Sequence, residues 1–343
     1  MAAIAAWRQP LHGGHHYIYV SDSILDMAAK IKISPEQRSR YQMVMGTNTA
    51  HTFITRAKKT LATLECKWNL KRIAPLVGTT ALVVSATSDM KSDRRREVVV
   101  KIPLRKNDGI AQVTFMQGCR AVSPEIIASD TQTGAYMMEK CAPAPDVSPG
   151  DIDWVIDYIT QRSSTWATGM LSAHAGLVMD ITTNIEHGLS GANLHRMCME
   201  CGLEGVALND NAVLLHGAVT PSHVLRNGKG DVVLISPRAV RGDVCWDFAT
   251  AAATIPFEGV PYGQLIEKFS ISKRGSTRTM KEMYTWLSLV ALVNPYAAPD
   301  YSRMYLLNYA MGSCWPYLRQ LINSCSTLPE IQENLVSKVD IQL

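Results

Sequence analysis

Between Leu214 and Leu225 the chain reads LLHGAVTPSHVL, and from Val232 it continues VVLISPRAVRGDVCWDFATAA. No other stretch limits the fold as much. The apolar runs at 212–215 and 232–235 have the length of short buried strands and are too short for helices. Between them, His216-Gly217 suits a tight loop and Pro221 a turn. Pro237 bends the chain after the second run. Residues 246–253 then carry apolar side chains at helical spacing.

The rest of the chain is unevenly divided around this segment. Residues 1–45 form an N-terminal extension, partly helical. SILDMAAKIK at 23–32 has helical spacing, and Ser34-Pro35-Glu36 reads as a helix start with proline in the first turn. The stretch 46–140 is β-rich after one amphipathic helix over 54–70. Strands are expected at 73–86, 97–103 and 135–139, with a helix at 109–119. The polar run SDMKSDRRR, which holds Arg94, Arg95 and Arg96, reads as an exposed hairpin tip. Breaker-rich residues 141–150 form a hinge or linker, and 151–343 a helical half. Helices are expected at 154–162, 165–178, 189–201, 278–292, 303–322 and 328–336. The fold class is therefore α+β, with a small β-rich part and a larger helical one.

Composition narrows the function classes. At 47% hydrophobic and 19% charged residues the chain is globular rather than disordered. Its longest apolar run, near 286–293, is far below a membrane span, and no secretory leader is evident at the start. Eight cysteines without a repeating spacing read as reduced thiols, so a cytoplasmic setting is expected. Residues 1–150 hold 20 Lys/Arg against 12 Asp/Glu, and 151–343 hold 14 against 18. That asymmetry, without interleaved aromatics, does not point to nucleic acid. HGGHH at 12–16 and the His195, Cys198, Cys201 spacing superficially suggest metal. A polar loop and an ordinary helix face explain them better.

The segment 214–253 resembles the catalytic and metal-binding segments of the aminoglycoside phosphotransferase family, whose pattern reads roughly HGDxHPxNVL, then IDP, then GDxxxDxA. The resemblance extends over about 54–325 and is similar to the streptomycin and hydroxyurea phosphotransferase branch. It implies a two-lobed protein-kinase-like fold. In the small lobe, Val99-Val100-Lys101-Ile102-Pro103 matches the segment carrying the lysine that holds nucleotide α/β-phosphates. Gln112 takes the place of the glutamate that orients this lysine. Backbone groups near Glu139 and Cys141 would contact adenine. Only Gly78 stands in the turn that should cover the phosphates.

The positions that carry chemistry depart from the pattern. Ala218 stands at the catalytic aspartate, His223 at the metal-binding asparagine and Ser236 at the metal-binding aspartate. Alanine cannot take a proton, and magnesium prefers oxygen ligands with at least one carboxylate. Structural positions are kept: His216 and Gly217 in the loop, and Asp247, which in the family braces that loop. The implied protein is a pseudokinase acting as a binding or scaffold protein, through a protein partner or as a homo-oligomer. It would have no metal and no cofactor beyond weak, magnesium-independent ATP binding. An active small-molecule phosphotransferase recruiting Asp231, Asp243 or Asp247 is one alternative. A purely structural subunit of a larger assembly is another.

Overall fold

Strand β3 carries the logic of the fold in its alternation. The computed structural model describes residues 31–90, 95–162, 213–242, 244–257, 259–260, 262–270 and 287. A five-stranded antiparallel sheet is built from β1 (Lys71–Leu76), β2 (Ala81–Ser88), β3 (Arg96–Pro103), β4 (Ile126–Asp130) and β5 (Ala135–Glu139). Its spatial order is β1-β2-β3-β5-β4. Successive side chains leave a strand on opposite faces. Val98, Val100 and Ile102 therefore join one core, whereas Val99 joins the other.

The first core lies under two N-terminal helices, α1 (Pro35–Met45) and α2 (Thr47–Lys67). Ser34 caps α1 by accepting the N–H of Gln37, with Pro35 in the first turn. Phe53, Ala57, Leu61 and Leu64 of α2 pack against Leu82, Val84, Val100 and Met137. This helix begins seven residues before the expected start at 54, because its first residues, Thr47 to Thr49, are polar and exposed, although Ala50 and Phe53 already continue its buried face. Helix α1 also reaches the β1–β2 turn. Tyr41 Oη donates to the Ala81 carbonyl at 2.9 Å, and Gln37 Nε2 donates to the Gly78 carbonyl.

The second core joins the other face of the sheet to the second half of the chain. Helix α3 (Lys106–Gly118) follows β3 and contributes Val113, Phe115 and Met116. Its first turn approaches the β4–β5 turn so closely that a Cβ on Gly109 would lie 2.0 Å from the Gly134 carbonyl oxygen. The expected break after β5 is more ordered than its composition suggests. Strand β6 (Ala142–Pro143) pairs with β8 (Val224–Arg226), and α4 (Pro149–Thr160) starts at Ser148. Ser148 and Asp151 form a reciprocal capping box there. The helix packs Ile152, Val155, Ile156 and Ile159 into the shared core.

The segment singled out in the sequence supplies β7 (Val213–Leu215), β8, β9 (Val232–Leu234), β10 (Val240–Gly242) and α5 (Cys245–Thr254). Strand β10 pairs with β7, and β8 pairs with both β6 and β9. Helix α6 (Tyr262–Ser270) packs Leu265, Ile266 and Phe269 against this layer. Among the described residues no helix is long and apolar enough to cross a membrane. The helices expected at 165–178, 189–201, 278–292, 303–322 and 328–336, most of 23–32, and the His195-Cys198-Cys201 spacing lie outside the described residues.

Candidate functional site

The register of β3 decides where Lys101 points. It pairs across the sheet with Tyr136 of β5, on the face turned toward β7–β9. The lysine is 7% exposed, and its Nζ donates to Ser236 Oγ at 3.0 Å. This bond joins the sheet to the loop after β9, across 135 residues of sequence. Burial pulls the Lys101 ammonium down to about 8, and Asp108 at the start of α3 pulls it back. The side chain therefore remains a cation at neutral pH. Among the described residues no carboxylate makes an ion pair with it.

Gln112, expected beside the lysine, has another partner. Its Oε1 accepts the Tyr136 hydroxyl at 2.8 Å, and the Tyr136 ring centroid lies 6.0 Å from Lys101 Nζ. Gln112 thus reaches the lysine through an aromatic ring rather than directly. Tyr136 went unnoticed in the sequence. Its signal was available, since a residue facing a key lysine across two strands must share its surroundings.

The loop after β7 is held from two sides. Asp247, fully buried in the first turn of α5, accepts the backbone N–H of His216 on Oδ2 and of Gly217 on Oδ1, each at 2.8 Å. Trp246 Nε1 donates to the Gly217 carbonyl at 3.1 Å. Burial pushes the Asp247 carboxyl up to about 7, while the two N–H groups pull it down. Gly217 has φ +80°, and a Cβ there would meet Val240 Cγ2 at 2.8 Å. The turn accepts no side chain.

His216 and His223 are structural donors. His216 Nε2 gives its proton to the Ile235 carbonyl at 3.0 Å, and its Nδ1 faces the Ala218 N–H at 3.3 Å. His223 Nδ1 lies 2.8 Å from the Ala218 carbonyl, which requires the proton on Nδ1. Burial drives His216 down to about 3 and His223 to about 4, and nearby Lys101 and Arg238 push both in the same direction. Both rings are neutral near pH 7.

The groups expected to contact adenine are partly engaged. The Glu139 N–H donates to the Glu125 carbonyl at 3.0 Å, and Glu139 Oε1 accepts the Glu125 N–H at 2.9 Å. The Cys141 thiol points at the Glu139 carbonyl, 3.9 Å away. Burial, then Glu139, pushes it up to about 12, so it stays protonated. Asp231 accepts from Asn227 Nδ2 at 3.2 Å in an exposed turn, and Asp243 lies outside the described residues.

The residues present do not fit magnesium. Ala218 has no ligand atom, the His223 Nδ1 proton is committed to a carbonyl, and Ser236 offers a neutral hydroxyl already bonded to an ammonium. Among the described residues no carboxylate is bonded to Lys101, so a dication there would face its ammonium.

A lysine on the third strand of a five-stranded antiparallel sheet, the helix that follows, and a loop braced by Asp247 make up an α+β arrangement. No protein-family model matches the sequence, and no curated protein matches it. Solved structures do. A choline kinase, LicA, from Streptococcus pneumoniae is 12% identical with a TM-score of 0.48, over 79% of this chain and 99% of that one. A macrolide 2'-phosphotransferase type I is 15% identical with a TM-score of 0.48, over 76% and 95%. An ethanolamine kinase from Plasmodium vivax is 11% identical with a TM-score of 0.45, over 91% and 99%. With every one of these TM-scores below 0.5, the likenesses assign no role to this chain.

Proposed function

We propose that this chain is a kinase-fold protein that does not transfer phosphate and works by binding, as a scaffold for a protein partner or a further copy of itself. The observation that carries this reading is the Lys101–Ser236 hydrogen bond. Phosphoryl transfer depends on positioning the triphosphate and on cations that neutralise charge developing in the transition state. In the resembled family that work falls to a divalent ion held by an aspartate at the place of Ser236. Here the cleft's own lysine occupies the hydroxyl, and Ala218 stands where an acceptor's proton would be taken. Loss of a general base alone costs roughly 10²–10⁴ in rate. Loss of the metal ligand compounds it. The retained Asp247 and Gly217 contacts support a cradle kept for its shape.

Label transfer from γ-labelled ATP tests this, with magnesium or manganese present and amino alcohols, aminoglycosides and macrolides as acceptors. No transfer above that of Lys101→Ala is expected. Transfer that disappears in Lys101→Ala would overturn the proposal. Light scattering during size exclusion tests self-association as the binding role.

A further inference from the structure

The Lys101–Ser236 bond has one fixed end and one flexible end. Ser236 stands in a loop tied down on both sides: the Ile235 N–H donates to the His223 carbonyl at 3.0 Å, and the Arg238 N–H to the His216 carbonyl at 2.8 Å. His216 Nε2 also holds the Ile235 carbonyl, at 3.0 Å. With its backbone left-handed at φ +58°, Ser236 presents its hydroxyl in a set direction. Lys101 reaches that hydroxyl on a long, rotatable aliphatic stem. Keeping such a stem on one acceptor costs rotamer freedom, so a guide beside it matters.

Among the described residues no carboxylate bonded to Lys101 takes that part. Gln112 does not take it directly. Its oxygen accepts the Tyr136 hydroxyl, and its amide nitrogen is only a donor, as the ammonium is. The residue opposite the lysine is Tyr136, fully buried and paired with it in the β3–β5 register. Residues paired in this way share one face of the sheet. The ring centroid is 6.0 Å from Nζ, the outer reach of a cation–π contact. The ring is itself held, because its hydroxyl is tied to α3 at 2.8 Å. Burial pushes the phenol above its ordinary range, so it keeps the proton it donates.

We infer that Tyr136, anchored by Gln112, is the positioning residue for Lys101: its ring guides the stem and faces the ammonium, keeping Nζ on Ser236 in place of a carboxylate. Gln112 acts on the lysine only through Tyr136. The inference extends the binding-only reading, which rests on the Lys101–Ser236 bond, by naming what keeps that bond made. Phosphate transfer decides that reading, and the accessibility of one amine decides this one.

Brief acetic anhydride labelling of the full chain, read at Lys101 by peptide mass spectrometry, tests this. Exposed Lys59 is the internal standard, and alkylation of buried Cys119 reports any loosening of the core. Tyr136→Leu should raise Lys101 acetylation about fivefold or more relative to Lys59, with Cys119 still protected. Tyr136→Phe keeps the ring and cuts its anchor, so a rise of about twofold is expected. Gln112→Leu should match Tyr136→Phe, and the two together should do no more than either alone. Labelling of Lys101 at the wild-type rate in a folded Tyr136→Leu protein would overturn the inference. So would equal exposure of Cys119 and Lys101, which marks a packing role, or additive effects of Gln112→Leu and Tyr136→Phe. If Tyr136→Leu does not fold, the other two variants decide: an equal rise supports the anchored ring, and an unequal rise or none overturns it.

Discussion

His223 gives its Nδ1 proton to the carbonyl of Ala218 at 2.8 Å, tying the end of the loop after β7 back to its middle. A side chain placed where a metal ligand is expected thus serves as a fastener. His223→Ala should destabilise the protein by about 1 kcal/mol, the net worth of one buried hydrogen bond, since the Ala218 carbonyl keeps the Thr220 N–H at 3.0 Å. His223→Asn, whose shorter amide is a weaker fit, should fall between the two. Urea midpoints at fixed slope would show this, and an unchanged His223→Ala midpoint would contradict the fastening role.

Asp247 carries the heavier share. It satisfies two buried backbone donors at once, so Asp247→Ala leaves the N–H groups of His216 and Gly217 without partners. A loss of about 3 kcal/mol or more is expected, since each unsatisfied group costs roughly 1–3. Asp247→Asn keeps one acceptor oxygen and should lose less. Thermal melts of the three proteins give the order directly.

Acid should destabilise the fold through the two histidines. Both are held below their ordinary value of 6.5, at about 3 and about 4. Their neutral forms favour the fold above pH 6.5, and that advantage drains as pH falls toward 4. Asp247 has the opposite sign. With its carboxyl raised from 3.8 to about 7, its contribution is full below pH 4 and fades as pH rises through 7. The two histidines outweigh the one carboxylate, so stability should decline from pH 6.5 to 4. His216→Asn should flatten that decline. A wild-type urea midpoint constant from pH 7 to 4 would refute this assignment.

Helix α1 should control the mobility of the β1–β2 turn, because Tyr41 and Gln37 hold the carbonyls of Ala81 and Gly78. Tyr41 is fully buried and edge-on to Phe53 at 5.4 Å, so Tyr41→Phe keeps its packing and removes only the hydroxyl. A loss of about 1 kcal/mol is expected. Amide exchange at 77–81 should quicken while β3 stays protected. Equal acceleration in both would mean a global rather than a local effect.

Elements with a strong local pattern were legible in the chain. Strand β5 stands at the expected 135–139, β3 within a residue of 97–103, and α1 begins at the expected Ser34-Pro35. Polar or breaker-rich elements were not. Helix α2 starts in the polar residues at 47–49, and α4 starts at Pro149 inside what reads as a linker. The Ser148–Asp151 capping box was present in the sequence but was hidden by three prolines. In the site, the resemblance singled out Lys101, Ser236 and Asp247, and the fold bonds Lys101 to Ser236 and Asp247 to the loop before Ala218, whereas Gln112, expected beside the lysine, is bonded to Tyr136.

By itself, the sequence determined which atoms are available in the cleft: an ammonium at 101, a hydroxyl at 236, a methyl at 218 and no carboxylate among those three. Side-chain chemistry is a property of the residue and needs no fold to be known. Which of those atoms meet was decided by tertiary structure alone. The lysine reaches the serine across 135 residues because the β3 register turns it to that face and the backbone at Ser236 is left-handed. Strand register and loop conformation are set by packing against distant segments, and no local window of the chain contains both partners.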